Sequence, residues 1–174
     1  MPAKKLENQS VIVADSDWFS QRLTRSILSN LEVAQLSICM DEAETLEMIR
    51  RSAMPSSPEA DQHSCPDVIL VDSALEPHGA MNLIRKLRSP EFGDCKDLSI
   101  FIMSETGAFS ESEEARSHGV NGFLSKPLNM TSVYNKLKAI EKDQPIQSKG
   151  YVGPERRKKS ENYVGLERRQ QRLH

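Results

Sequence analysis

The chain has 174 residues, a net charge of −2 and 37% hydrophobic residues, which suits one soluble folded domain with some polar chain attached. No apolar run reaches the length of a membrane-spanning helix, and the amino-terminal residues lack the apolar core of a secretory signal. We therefore expect a cytoplasmic protein that does not insert into a membrane. The three scattered cysteines have neither metal-ligand spacing nor a paired framework, so we expect ordinary reduced thiols.

Charge is distributed unevenly along the chain. Residues 145–174 hold eight Lys or Arg and three acidic residues, a net charge of +5, so the rest of the chain carries −7. An acidic body with a basic tail indicates two parts with different roles. We predict a polar segment over 1–9, a folded domain over 10–142 and a basic, disordered tail over 143–174.

The first half of the folded part alternates between short apolar runs and amphipathic segments. A buried strand is predicted over 11–14, and apolar residues at helical spacing predict a helix over 18–29. A second strand is predicted over 33–39. A second helix follows over 41–50, where Asp41 can cap the helix and Glu44 stands three residues later.

The second half repeats this alternation after a polar, proline-bearing loop over 53–66. The most strand-like run of the chain covers 68–71 and ends on Asp72, and a helix follows over 81–88. Further strands are predicted over 98–103 and 122–124, with a helix over 111–118 between them. The last helix is predicted to begin at Asn129 or Thr131.

Five alternations of strand and helix predict a parallel sheet that is covered by helices on both faces. In such sheets, chemistry collects beyond the carboxyl ends of the strands. Six polar residues follow predicted strands in this way: Asp15, Ser16, Asp17, Asp72, Ser104 and Lys126.

The residue types in this set favour phosphoryl transfer. Clustered carboxylates repel one another unless a divalent cation or a lysine compensates their charge, and Mg²⁺ prefers such oxygen ligands. A carboxylate can attack phosphorus while a metal ion and a lysine neutralise the charge on the phosphoryl oxygens.

Four sequence pieces carry a family resemblance: Val-Ile-Val-Ala-Asp at 11–15, Pro-Asp-Val-Ile-Leu-Val-Asp at 66–72, Ile-Met-Ser-Glu at 102–105 and Asn-Gly-Phe-Leu-Ser-Lys-Pro at 121–127. Because these pieces follow one another in the right order and at the right spacing, the chain resembles a response-regulator receiver domain of two-component signalling over residues 10–142. The resemblance implies a flavodoxin-like, doubly wound, five-stranded parallel sheet in the order 2-1-3-4-5.

The resemblance also implies roles for individual residues. Asp72 matches the phosphoryl acceptor, and Lys126 matches the lysine that contacts the phosphoryl group. Asp15, Asp72 and the backbone carbonyl of Ala74 match the Mg²⁺ ligands. Ser104 matches the switch hydroxyl and Phe123 the aromatic residue that changes rotamer with it.

The family implies a phosphodonor partner, either a sensor histidine kinase or a phosphotransfer protein, and a downstream protein partner. It implies no catalysis beyond self-phosphorylation and self-dephosphorylation. Ser16 departs from the family pattern because it replaces the second acid of the metal site. Asp17 is a further candidate ligand, although Ser16 or Asp17 can equally cap the first helix. There are two alternative hypotheses: a pseudo-receiver, which is an interaction module with impaired metal binding, and a receiver that regulates a basic tail in contact with nucleic acid.

The tail contains an internal repeat, Tyr-Val-Gly-x-Glu-Arg-Arg, at 151–157 and 163–169. A short binding element used twice gains avidity, and arginine pairs suit carboxylate or phosphate ligands. We predict an acidic or phosphate-bearing ligand, nucleic acid included, for the aromatic and arginine residues of the two copies: Tyr151, Arg156, Arg157, Tyr163, Arg168 and Arg169.

Overall fold

The computed structural model describes residues 5–53, 65–95, 97–105 and 113–142. Five strands form one parallel sheet: β1 (Ser10–Ala14), β2 (Gln35–Cys39), β3 (Val68–Asp72), β4 (Ser99–Ser104) and β5 (Gly122–Ser125). Their order is β2-β1-β3-β4-β5. The predicted doubly wound sheet in the order 2-1-3-4-5 is confirmed.

Helices follow each strand along the chain. They are α1 (Trp18–Asn30), α2 (Glu42–Ala53), α3 (Ala80–Leu87), α4 (Glu113–Ser117) and α5 (Met130–Lys142). The predicted cap of the second helix is confirmed, because Asp41 Oδ1 accepts a hydrogen bond from Glu44 N at 2.8 Å. Two short 3₁₀ segments, Leu6–Asn8 and Pro90–Cys95, were not predicted. Among the described residues, no helix is long and apolar enough to span a membrane.

The sheet separates two hydrophobic clusters, as the alternation of side chains along a strand requires. On one face, Ile69 and Val71 of β3 pack with residues of α2 and α3. On the other face, Val68 and Leu70 pack with residues of α1 and α5. Every residue of β3 is buried, so the strand lies in the centre of the core and its carboxyl end is firmly placed.

The prediction of three ordinary reduced thiols is wrong for two of the cysteines. Cys65 and Cys95 form a disulfide with their Cα atoms 5.5 Å apart, while Cys39 is free and buried. Cys65 precedes β3 and Cys95 precedes β4, and these strands are parallel neighbours in the sheet. The pairing of the strands therefore brings together two residues that are 30 positions apart in the sequence.

A half-buried arginine joins three elements at the amino ends of the strands. Arg88, at the end of α3, donates hydrogen bonds to the carbonyl oxygens of Leu98 and Gly119, each at 2.9 Å. Burial lowers the pKa of Arg88 from its ordinary value, against the opposing charge of Asp97. Gly119 has a φ of +76°, and a Cβ at this position would lie 3.2 Å from Arg88 Nε. The arginine and the glycine thus occupy adjoining space.

Candidate functional site

Three of the predicted site residues meet at the carboxyl edge of the sheet. Asp15 follows β1, Asp72 ends β3 and Lys126 follows β5. Lys126 Nζ lies 2.9 Å from Asp15 Oδ2 and 2.9 Å from Asp72 Oδ1. One ammonium group therefore bridges two carboxylates that come from strands far apart in the sequence.

The sheet itself places the lysine. Lys126 N donates to the carbonyl oxygen of Ser104 at 2.9 Å, which extends the pairing of β4 and β5 by one residue. Since β4 lies between β3 and β5, this bond sets the lysine at a defined distance from Asp72. Its side chain is only 9% exposed, so it reaches inward across the end of β4.

Asp15 is completely buried, and the start of α1 holds its carboxylate. Its Oδ1 accepts a hydrogen bond from Asp17 N at 2.9 Å, and its Oδ2 accepts one from Ser20 Oγ at 2.6 Å. Gln21 Nε2 donates to the Asp15 carbonyl oxygen. Sequence reasoning missed Ser20 and Gln21, because polar residues in the first turn of a helix are equally typical of a solvent-exposed face.

The charges at this edge do not balance. Burial by itself lowers the pKa of Lys126, but the hydrogen bonds and charges of Asp15 and Asp72 outweigh burial and raise it above its ordinary value. The lysine therefore stays protonated at neutral pH. Two carboxylates with one ammonium group leave an excess negative charge, which favours a further cation or an electrophilic group.

Solved structures with the same fold are numerous. The receiver domain of the histidine kinase CKI1 from Arabidopsis thaliana, complexed with Mg²⁺ and BeF₃⁻, matches with a TM-score of 0.66 and 21% identity over 78% of this chain and 91% of that chain. The chemotaxis response regulator CheY4 of Vibrio cholerae matches with a TM-score of 0.61 and 15% identity, over 76% of this chain and 98% of its own.

The fold is that of receiver domains. A third match, the CheX–CheY–BeF₃–Mg²⁺ complex from Borrelia burgdorferi, agrees with a TM-score of 0.62 and 14% identity, over 76% of this chain and 88% of that one. No protein-family model and no curated protein matches the sequence.

The remaining residues of the receiver pattern lie around the same edge. Ser104 ends β4 and is buried. Phe123 lies in β5, is partly buried and packs against the cluster that includes α2 and α3. Ala74 is exposed in the turn after β3, two residues beyond Asp72. The predicted binding residues of the tail lie outside the described residues.

The two polar residues after Asp15 are engaged in other contacts. Ser16 Oγ accepts a hydrogen bond from Glu76 N at 3.1 Å, which ties the β1–α1 loop to the β3–α3 loop. Asp17 is the cap of α1, since its Oδ2 accepts from Ser20 N at 2.8 Å. Of the two roles predicted for Asp17, metal ligand or cap of the first helix, the structure thus shows the cap.

The carboxylate oxygens at this site are the kind of ligand that a magnesium ion prefers, but they are fewer than usual. In the described parts of the chain, no group of three or more His, Cys, Asp or Glu side chains is arranged to hold a metal ion. Asp15 and Asp72 are nevertheless hard oxygen donors with excess negative charge. Mg²⁺ commonly binds through one or two carboxylates and keeps several waters, so these residues fit the ion.

A third buried acid, Glu42, which sequence reasoning missed, lies beside the site. Glu42 N donates to the Glu76 carbonyl oxygen at 3.2 Å, so the start of α2 holds the same β3–α3 loop. The Glu42 carboxylate accepts from Asn82 Nδ2 at 2.8 and 3.0 Å and from Lys86 Nζ, and His78 Nδ1 lies 3.5 Å away. Burial raises the pKa of Glu42, but the hydrogen bonds from Lys86 and Asn82 outweigh it and lower the pKa overall.

Proposed function

We propose that this chain is a phosphorylation-controlled signalling receiver that accepts a phosphoryl group on Asp72 from a sensor histidine kinase or a phosphotransfer protein. The observation that carries the proposal is the bridge of Lys126 between Asp15 and Asp72 at the carboxyl edge of a receiver fold. The fold alone allows many functions, but this arrangement of acid, lysine and hydroxyl suits phosphoryl transfer.

In the proposed reaction, a carboxylate oxygen of Asp72 attacks phosphorus as the bond between phosphorus and the donor nitrogen breaks. Lys126 already lies 2.9 Å from Asp72, so its ammonium group is placed to stabilise the negative charge on the transferred oxygens. Asp15 and Asp72, with the Ala74 carbonyl, would hold Mg²⁺, which when bound neutralises part of the same charge.

The proposed output is a change in binding of a downstream protein partner. Ser104 stands beside the acceptor at the end of β4, and Phe123 on β5 is only partly buried. We propose that the Ser104 hydroxyl contacts the phosphoryl group and that Phe123 turns inward with it. The surface around β5 and its neighbouring helices then changes, and with it the affinity for the partner.

The phosphodonor needs a docking surface near Asp72, and α1 offers one. Trp18 and Phe19 begin this helix and are 62% and 64% exposed, which is unusual for large aromatic side chains. Replacing both with alanine should slow transfer from a panel of phosphorylated histidine phosphotransfer domains. Labelling by acetyl phosphate, which needs no docking surface, should be unchanged in the same variant.

The acceptor is tested by the intact mass of the protein after incubation with acetyl phosphate, with and without Mg²⁺. We expect a Mg²⁺-dependent gain of one phosphoryl group that Asp72→Ala abolishes. Asp67→Asn is the matched control, because Asp67 precedes the opposite end of β3 and accepts hydrogen bonds from Ser10. Labelling that survives in Asp72→Ala would refute the assignment of the acceptor.

The second candidate function is a pseudo-receiver that acts as an interaction module without phosphorylation. The contact between Ser16 Oγ and Glu76 N favours it, because a neutral hydroxyl stands where the receiver pattern has an acid. If the wild type is not labelled but Ser16→Asp is labelled, the defect lies in metal binding and the pseudo-receiver is supported. If the wild type is labelled, this candidate is excluded.

A further inference from the structure

A covalent site lies at the end of the sheet opposite to Asp72. Cys65 and Cys95 precede the amino ends of β3 and β4 and are joined by a disulfide, while Asp72 and Ser104 stand at the carboxyl ends of the same strands. The bridge is therefore separated from the proposed phosphoryl site by the full length of both strands. It does not depend on the proposed function.

The backbone holds the two cysteines close to each other independently of the bond between their sulfur atoms. Asp67, two residues after Cys65, accepts a backbone hydrogen bond from Ser99 N at 3.0 Å and donates one to the Ser10 carbonyl oxygen at 3.0 Å. On the other side, Leu98 N donates to the Cys95 carbonyl oxygen at 3.1 Å. None of these bonds involves a sulfur atom, so we expect them to keep both residues in place when they are reduced and to let the bridge close again without refolding.

The two cysteines of the bridge, Cys65 and Cys95, differ in burial. Cys95 is 3% exposed and belongs to the hydrophobic cluster around α2 and α3, whereas Cys65 is only partly buried and packs at its margin. Thiol–disulfide exchange requires a thiolate to reach one sulfur of the bridge in line with the bond that breaks. The difference in burial favours attack on Cys65.

We propose that Cys65 and Cys95 form a reversible redox site whose substrates are low-molecular-weight thiols and disulfides of the glutathione class. A thiolate attacks Cys65 Sγ, forms a mixed disulfide there and releases Cys95 as a thiolate that takes a proton from water. A second thiol then attacks the mixed disulfide, which frees Cys65 and yields the small disulfide. Two electrons pass from two small thiols to the protein, and the reverse sequence closes the bridge.

The third cysteine serves as an internal control. Cys39 is completely buried at the end of β2. Burial, reinforced by the nearby charge of Glu44, raises the pKa of its thiol to about 11. It therefore remains a protonated, inaccessible thiol at neutral pH and should not exchange.

The experiment incubates the full chain in glutathione buffers of graded ratio, quenches it with acid, and maps thiols and mixed disulfides by peptide mass. We expect one thiol, Cys39, in the oxidised protein after denaturation, and three after reduction. In the Cys95→Ser variant, glutathione should attach to Cys65, and in Cys65→Ser the attachment to the more buried Cys95 should be about tenfold slower.

Two further measurements use the wild type, in which no substitution can disturb folding. Reduction of the wild type should lower its melting temperature by roughly 10 °C, as expected for opening a covalent loop of this length. Acetyl phosphate labelling of Asp72 should be equal in the two redox forms, so its failure in both forms would count only against the proposed function. Three free thiols under every glutathione ratio, or attachment first at Cys95 or Cys39, would overturn the redox proposal.

Discussion

Two acidic clusters lie side by side in this molecule, and their charges are balanced in different ways. Asp15 and Asp72 share the ammonium group of Lys126, whose side chain is 9% exposed. The single carboxylate of Glu42 is contacted by Asn82, Lys86 and His78. Of its two basic partners, Lys86 is 47% exposed and His78 is 64% exposed. The first cluster keeps an excess negative charge, whereas the carboxylate of Glu42, although it is buried as well, is neutralised by partners that are exposed.

This difference separates a reactive arrangement from a structural one. Burial keeps water from screening the excess negative charge of Asp15 and Asp72. This charge can therefore attract an incoming cation or phosphoryl group. A carboxylate that is satisfied by several donors has little to offer a ligand and instead holds α2 against α3.

Lys126→Met should have the largest effect on stability. It leaves two carboxylates at the end of the core without their shared cation, and we expect a loss of about 3 kcal/mol in the free energy of unfolding at pH 7. Urea denaturation at pH 7 measures the loss. Lys5→Met, which removes an exposed partner of Glu7, is the control and should change little. An equally small loss in Lys126→Met would mean that water screens the cluster.

Glu42→Ala should cost less, about 2 kcal/mol, because Lys86 and His78 are exposed enough to be hydrated when the carboxylate is gone. Glu42→Gln, which keeps the shape and an acceptor for Asn82, should lose less than half of that amount. The same denaturation experiment with Glu47→Ala, an exposed partner of Arg51, gives the surface baseline. A loss in Glu42→Ala above that of Lys126→Met would reverse the contrast.

The two clusters should lose their contributions to stability at opposite ends of the pH scale. The raised pKa of Lys126 means that its contribution is complete below its ordinary value of 10.5 and is lost as the pH rises through the raised pKa. The lowered pKa of Glu42 means that its contribution is complete above 4.5 and is lost as the pH falls through the lowered pKa. Stability curves against pH should therefore converge with the wild type at alkaline pH for Lys126→Met and at acid pH for Glu42→Gln. If the curves of both variants met the wild-type curve at the same end of the pH scale, one of the two pKa shifts would have the wrong direction.

Ser16→Ala should have the smallest effect. It removes one hydrogen bond to Glu76 N near the surface, and we expect a loss of about 1 kcal/mol or less. Ser16→Asp should instead raise the affinity for Mg²⁺, which can be followed by the stabilisation that the ion gives on titration. If Mg²⁺ stabilises the wild type and Ser16→Asp equally, the missing acid has no consequence for metal binding.

The sequence predicts the fold well because its signals are local and repeated. Each buried strand is a short apolar run, each helix has an apolar face, and their alternation predicts a parallel sheet whose carboxyl edge collects Asp15, Asp72, Ser104 and Lys126. The edges of elements were less accurate: β2 begins at Gln35 rather than at 33, and α2 continues to Ala53 rather than ending at 50.

The contacts that sequence reasoning missed depend on which elements become neighbours. An acid in the first turn of a helix, such as Glu42, normally faces solvent, and only the packing of α3 against α2 buries it. The Cys65–Cys95 bridge requires β3 and β4 to be adjacent, which the spacing of the cysteines does not reveal. Such pairings are properties of the assembled sheet rather than of any segment.

The contact between Arg88 and Gly119 has a consequence for how this sequence can change over generations. A side chain at position 119 would need a left-handed backbone and would also enter the space of the arginine, so two independent penalties confine the position to glycine. Loss of the arginine would remove only one of them. Among descendants of this chain, position 119 should therefore vary later than position 88, and a substitution at 119 should be inherited together with a shorter residue at 88.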